Sequence, residues 1–210
     1  MNVTELIHVD AALIVANKPA GLLAVPGRGA DKADCLSEQV RCQFADALIV
    51  HRLDMATSGL MVLARGAAAQ RGLSIAFAER RVDKTYEAVV DGLVALDYGE
   101  IDHPLAADWP NRPRQIVCTV RGKSSLTHWR VITRDVNQGR TRLALNPVTG
   151  RSHQLRVHLA SIGHAIVGDE LYASPPVAAA APRLLLHASR LALRHPVDDE
   201  PMSFESSTPF

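Results

Sequence analysis

The sequence predicts an α+β fold around a mixed, largely antiparallel β-sheet with flanking helices. Three observations predict it. Short runs rich in β-branched and apolar residues recur along the whole chain. Only a few stretches repeat apolar residues at helical spacing. No internal repeat and no long linker interrupts the pattern, so a single domain over residues 1–210 is expected.

Each element has its own justification. Residues 12–16 are an apolar run closed by Asn17-Lys18-Pro19, and a Gly/Pro-rich loop over 21–29 follows, holding Val25-Pro26-Gly27-Arg28-Gly29. Residues 34–44 place Leu36, Val40 and Phe44 at helical spacing. A strand over 47–53, a polar turn over 54–59 and a strand over 60–64 come next. Residues 67–80 read as a helix with Leu73, Ala76 and Phe77 on one stripe, and 84–90 as a β-rich strand. The stretch 97–113 is turn-heavy, with Pro104, Pro110 and Pro113. Strands follow at 115–120, 126–133 and 141–145. Thr149-Gly150 breaks the chain before a helix over 151–162, whose apolar face is Leu155, Leu159 and Ile162 and whose stop is Gly163. Short strands at 165–167 and 184–193 complete the pattern, with a loop or short helix over 177–181.

Composition narrows the function. With 47% hydrophobic and 21% charged residues the chain suits a globular protein with a real core, not a disordered one. No window is apolar enough to span a membrane, and the N-terminus does not read as a signal peptide. Cys35, Cys42 and Cys118 form no CxxC pair, and Cys35 and Cys42 share one helical face and are expected in the core. These features point to a soluble cytoplasmic protein. The net charge of +1 argues at first against a polyanion partner. Its distribution does not. Residues 1–111 carry a net −5 and residues 157–210 a net −3, whereas 112–156 hold ten basic side chains against Asp135 alone. Nine of those ten are arginine, which binds phosphate bidentately and stacks on bases. The alternative is a salt-bridged face against the acidic flanks.

Two segments look chemical. In His51-Arg52-Leu53-Asp54-Met55-Ala56-Thr57-Ser58-Gly59, strand alternation would send Arg52 and Asp54 out on one face, into a turn. That suits a catalytic carboxylate beside a cation; an ordinary salt bridge with a turn-capping Asp is the plainer reading. In Gly150-Arg151-Ser152-His153-Gln154-Leu155-Arg156-Val157-His158, a cation at a helix start opposes the dipole, so Arg151 calls for an acidic partner, with Asp54 a reasonable nominee. The segment's His, Gln and Arg content suits phosphate and base-edge contacts, or the polar face of an amphipathic helix. Tyr86 is either core or a stacking platform. His153, His158 and His164 lack the spacing of helical metal ligands, and neither HExxH nor CxxC occurs, so no metal is expected. The glycine loop fits neither GxxxxGK[ST] nor GxGxxG, so no nucleotide cofactor is expected either.

These residues make the chain recognisable. It resembles the RluA family of RNA pseudouridine synthases over nearly its whole length. The resemblance runs through Asn17-Lys18-Pro19 with Gly21-Leu22-Leu23, His51-Arg52-Leu53-Asp54 with Thr57-Ser58-Gly59, Lys84-Thr85-Tyr86, the Gly150–His158 segment, Gly163-His164, Gly168-Asp169 with Tyr172, and Leu184-Leu185-Leu186-His187-Ala188. Asp108-Trp109-Pro110-Asn111-Arg112-Pro113 looks particularly like the subgroup that acts on both 23S rRNA and tRNA. The resemblance implies a pseudouridine synthase fold with an RNA-binding cleft. Relatives often carry an N-terminal S4-like RNA-binding domain; the first predicted strand begins near residue 12, so none is expected here.

The resemblance also implies roles. Asp54 matches the catalytic Asp, Arg151 the Arg that pairs with it, and Tyr86 the Tyr that stacks on the target uracil and assists loss of its C5 proton. Arg52 matches the Arg that fills the gap left by the flipped nucleotide. Arg112, Arg114, His153, Arg156 and Leu186 are the further candidates for RNA contact. The expected activity is isomerisation of uridine by a monomer that needs no cofactor, with 23S rRNA, tRNA or both as partner and no membrane association. A non-catalytic RNA-binding protein and a hydrolase pairing Asp54 with Ser58 or His51 are the rival classes.

Overall fold

A computed structural model describes residues 4–27 and 34–210. The expected loop positions 28–33, including Arg28, lie outside the described residues. In chain order the strands and helices are β1 (Glu5–Val9), β2 (Leu13–Lys18), α1 (Leu36–Arg41), β3 (Ala47–Ile49), β4 (Ser58–Arg65), α2 (Gly66–Ala78), β5 (Asp83–Asp91), β6 (Tyr98–Asp102), β7 (Leu105–Ala107), β8 (Gln115–Val117), β9 (Leu126–Asp135), β10 (Arg140–Pro147), α3 (Gln154–Ser161), α4 (Pro175–Ala179), β11 (Leu186–Arg194) and β12 (Pro201–Glu205). A 3-10 turn, Trp109–Asn111, lies between β7 and β8. The class is α+β, as the sequence predicts. The chain divides into two compact units: residues 1–84 with 188–209, and residues 85–187 with 210.

The first unit is a sheet backed by helices, with β1–β2, β2–β4, β3–β4 and β11–β12 paired antiparallel. β2 pairs with β1 on one side and β4 on the other, and β3 also pairs with β4. β12 pairs with β11. Residues 58–64 of β4 are all buried, so the strand reads as a continuous apolar run, not an alternating one. Leu13, Val15, Leu60, Val62, Leu191 and Leu193 form its core. Ala69, Leu73 and Ala76 of α2 close that core, and Phe77 packs against it, which is the predicted stripe. Cys35 is buried as expected, but Cys42, just past the end of α1, is exposed.

The second unit is built on β5, β10, β9 and β6, paired antiparallel in that order, with β7 and β8 as a separate two-stranded ribbon. Along β10, Thr141, Leu143 and Leu145 are each fully buried at alternate positions. The expected strand at 165–167 reduces to one bridge between Ile166 and Val90. Helix α3 begins at Gln154, three residues later than predicted, because His153 takes a left-handed φ of 55°. Its stop is as predicted. Gly163 has a φ of +85°, and the Gly163 and His164 N–H groups donate to the Ala160 and Leu159 carbonyls.

Candidate active site

Asp54 sits on a loop, where the polar turn over 54–59 was expected, but the strand before it is shorter than the predicted 47–53. β3 ends at Ile49, so the strand alternation expected to pair Arg52 with Asp54 does not exist. The reason lies in His51. Its ring turns inward, its Nε2 accepts the Val62 N–H at 3.0 Å, and it stacks on Phe77 with centroids 4.4 Å apart. The imidazole therefore takes a β4 donor that a longer β3 would have used. Burial, assisted by the nearby Lys84 ammonium, holds the His51 pKa down to about 3. The ring is neutral at working pH and its one acceptor is occupied. It cannot serve Ser58 as a general base, which removes the basis for a hydrolase, and Ser58 is itself only 3% exposed.

The residues around Asp54 are fixed on both sides. Leu53 is buried before it. After it, the Met55 carbonyl accepts from Lys18 Nζ at 3.0 Å and from the Gly21 N–H at 2.8 Å. The Thr57 N–H donates back to the Asp54 carbonyl at 3.1 Å. Lys18 is fully buried, and its ammonium also donates to the Pro19 and Leu22 carbonyls at 2.9 and 2.7 Å. Three carbonyl acceptors compensate a charge that burial would otherwise forbid. Asp54 is left half-buried with a rigid backbone, and Arg52 is exposed beside it. Sequence reasoning quoted Lys18 without giving it a part. A lysine closing an otherwise apolar strand was the available signal.

In the second unit Arg151 is exposed on the turn before α3, not in the first helical turn, so the dipole argument for its acidic partner does not apply there. Its Nε donates to the Ser124 carbonyl at 3.2 Å. Its backbone N–H donates to Gln154 Oε1 at 3.0 Å, and the same oxygen accepts the Thr149 hydroxyl at 2.7 Å. The Gln154 amide donates to the Leu126 carbonyl and to Thr127 Oγ1, each at 3.0 Å. The chain of bonds continues into His158. The His103 carbonyl only accepts, so His158 Nε2 carries the proton, and Nδ1 accepts from the Thr127 hydroxyl. Burial lowers the His158 pKa. The polar side of α3 is thus neither an RNA face nor a solvated face. It is an internal hydrogen-bonded network that fixes the turn bearing Arg151.

The remaining candidates divide by burial. Tyr86 lies on β5 opposite Leu145 and is half-buried, with its same-face neighbours Ala88 and Val90 fully buried. Arg112 and Arg114 are exposed, one over the Trp109 ring at 3.2 Å and the other over the Tyr172 ring at 5.4 Å. His153 is half-buried and its Nδ1 lies 2.6 Å from the Tyr172 hydroxyl, which also accepts the Gln115 N–H. Two expectations need correcting. Arg156 is 5% exposed and its guanidinium forks onto Asp169, with Nε and Nη2 at 2.8 and 2.6 Å from the two carboxylate oxygens. Leu186 is 3% exposed. Burial takes both away from RNA. Among the described residues, no group of three or more His, Cys, Asp or Glu side chains is arranged to hold a metal ion.

The profile of the RNA pseudouridylate synthase family matches residues 12–161. The chain belongs to that family. It is 50% identical over 205 residues to the dual-specificity RNA pseudouridine synthase RluA of Yersinia pestis, covering 98% of this chain and 99% of that one. The protein of the same name from Escherichia coli K12 is 45% identical, with 98% and 93% covered. Among solved structures, human RNA pseudouridylate synthase domain containing 1 superposes with a TM-score of 0.82 at 29% identity, covering 99% of this chain and 84% of that one. The synthase is therefore an isomerase of uridine in RNA, on a fold shared with these relatives. No helix of the described residues is long and apolar enough to cross a membrane.

Proposed function

We propose that this pseudouridine synthase modifies uridines in structured RNA stem-loops of both 23S rRNA and the tRNA anticodon arm, with Asp54 as the catalytic carboxylate. The reaction breaks the N1–C1′ bond, turns the base and joins C5 to C1′. The C5 proton leaves and N1 gains one, so atoms and electrons balance within the substrate. The observation that carries the reading is the Asp54 loop: a half-buried carboxylate on a backbone held by Lys18 after it and by His51 and Leu53 before it. Such preorganisation suits a group that acts at the sugar, as nucleophile at C1′ or base at C2′.

The other roles follow. Arg151 is the cation assigned to serve that carboxylate. Tyr86 stacks on the released uracil and assists loss of the C5 proton. Arg52, exposed next to Asp54, fills the space of the flipped nucleotide and offsets part of the few kcal/mol of unstacking. A single chain bears every assigned residue, which supports a monomeric, cofactor-independent enzyme. An RNA substrate of this kind supports a cytoplasmic location. The dual target rests on relatives that carry the dual-specificity name.

The test is tritium release from C5-labelled uridine in two transcripts, a 23S rRNA fragment and a tRNA anticodon stem-loop. Release from both is expected, and Asp54→Asn should abolish it while RNA is still bound. Turnover by the Asn variant would overturn the assignment of Asp54. Release from one transcript only would overturn dual specificity.

A further inference from the structure

The chain has two tryptophans, and they are placed oppositely. Trp129 is 8% exposed, whereas Trp109 is 60% exposed. An exposed indole on a loose loop would mean little. Here the loop is closed. The Asp108 N–H donates to the Arg114 carbonyl at 3.0 Å, the Asn111 N–H to Asp108 at 3.1 Å and the Arg114 N–H to Asn111 at 3.0 Å. The Asn111 amide donates to the Asp108 carboxylate at 2.9 Å, and the Gln115 N–H is tied to the Tyr172 hydroxyl at 2.8 Å. Every one of these bonds holds the loop in a form that leaves the indole in water.

The indole also has a cation laid on it. The Arg112 guanidinium carbon lies over the ring, 3.2 Å from its centroid, which joins a π-surface to a positive charge. Arg114, two residues on, is exposed beside it. Both belong to the segment that carries the chain's excess of arginine. A nucleobase offers a π-face to such a platform only when it is unpaired, and its phosphate lies within reach of the same arginines.

We propose that Trp109, stacked with Arg112, is a docking platform for an unpaired base of the substrate RNA other than the target uridine. The inference rests on the reading of the protein as a stem-loop uridine isomerase, and it names the part of the RNA that this surface grips. Stacking on the platform is sequence-tolerant, so it senses an open loop and not a particular base.

The experiment uses the full chain and a synthetic anticodon stem-loop RNA. Trp109→Ala should weaken RNA affinity about 5- to 150-fold, the range for one lost base stack, with kcat at saturating RNA changed less than about twofold. Trp109→Phe should recover most of the affinity. Arg112→Lys keeps the charge but not the planar stack, and should fall between. Tryptophan emission supplies an independent readout. RNA should quench the wild-type protein strongly and Trp109→Phe, which retains Trp129, hardly at all. Equal quenching in the two, or wild-type affinity in Trp109→Ala, overturns the proposal. An equal loss by Trp109→Ala on a blunt duplex without a loop also overturns it, since no unpaired base is then involved. Loss of the underlying reading is distinguishable: the wild type would bind and quench but release no tritium from C5-labelled uridine.

Discussion

Replacing Arg156 by Ala separates what the sequence suggests from what the fold does with this residue. A family-type arginine in a basic segment invites the expectation of an RNA contact. The structure instead sets it 5% exposed against Asp169, which is 1% exposed. Two charge-assisted bonds join them, and the Asp169 carboxylate also accepts the N–H groups of Leu171 and Tyr172 at 2.9 and 3.1 Å. Removing the guanidinium strands a buried carboxylate on two backbone donors. Breaking such a pair from one side costs about 3–5 kcal/mol. For a chain of this length each kcal/mol moves Tm by about 2–4 °C, so the variant should melt about 6–20 °C lower. Thermal unfolding by circular dichroism reads this directly. RNA affinity, measured well below the transition, should stay within about twofold of wild type. The double variant Arg156→Met, Asp169→Asn should regain part of the loss, because the amide oxygen still accepts the Leu171 and Tyr172 N–H groups and no buried charge is left unpaired. A Tm within about 2 °C of wild type, together with weakened RNA binding, would refute the reasoning and restore Arg156 as an RNA contact.

Two further predictions concern buried polar groups. Both His51 and His158 have pKa values lowered by burial, to about 3 for His51. The unfolded chain takes up these protons near pH 6.5 and the folded chain does not, so stability should fall as pH drops from about 6.5 towards 3. Urea midpoints at pH 7.5 and 5.0 check the sign, and His158→Gln should flatten the slope. Gln154→Leu removes the acceptor for Thr149 and the Arg151 N–H and the donor to Leu126 and Thr127. With each orphaned buried group costing about 1–3 kcal/mol, denaturant unfolding should show a loss of at least about 3 kcal/mol. Unchanged stability would mean that the network does not hold the turn.

How far the sequence could be read depends on where each signal originates. β2, β4, α2 and β10 are driven by burial, and their apolar patterns announce them. β6 is different. In Tyr98-Gly99-Glu100-Ile101-Asp102 only Ile101 is buried, so a strand defined by its pairing with β9 looks like a turn in sequence. β1 and β12 share the difficulty, being half-exposed edges with little to bury. For the candidate site, Asp54, Tyr86 and Arg151 were nominated by a recognisable pattern of residues. Their supports were not. A strand over 47–53 was expected to lead up to Asp54, and a side chain, His51, ends it early by taking a backbone donor. A solvated or RNA-facing polar stripe was expected on α3, and Gln154, Arg156 and His158 turn out to be buried and mutually compensated. Hydrogen-bond partners distant in sequence decide both outcomes, and periodicity carries no information about them.

The same burial revises the electrostatic argument quantitatively. Counted from sequence, ten basic side chains over 112–156 are available to a polyanion. Arg156 is committed to Asp169, and Arg142, half-buried, faces Glu87 at 3.1 Å. Arg140 is half-buried, and Arg134 is held by the Val94 and Leu96 carbonyls and Asp97 at 2.7–2.9 Å. Arg112, Arg114, Arg121, Lys123, Arg130 and Arg151 remain exposed. If those six meet phosphates of an RNA loop, the plot of log affinity against log salt should have a slope of about −4. Between 50 and 200 mM salt the affinity would then fall about 300-fold. If all ten acted, the slope would be about −7 and the loss more than about 10,000-fold. Binding isotherms on a stem-loop RNA across that salt range distinguish these values. A slope near −7 would mean that the internal pairs open for RNA, contrary to the burial of Arg156. A slope near zero would mean that the exposed arginines do not meet phosphate, and the charge segregation along the chain would then have nothing to do with its substrate.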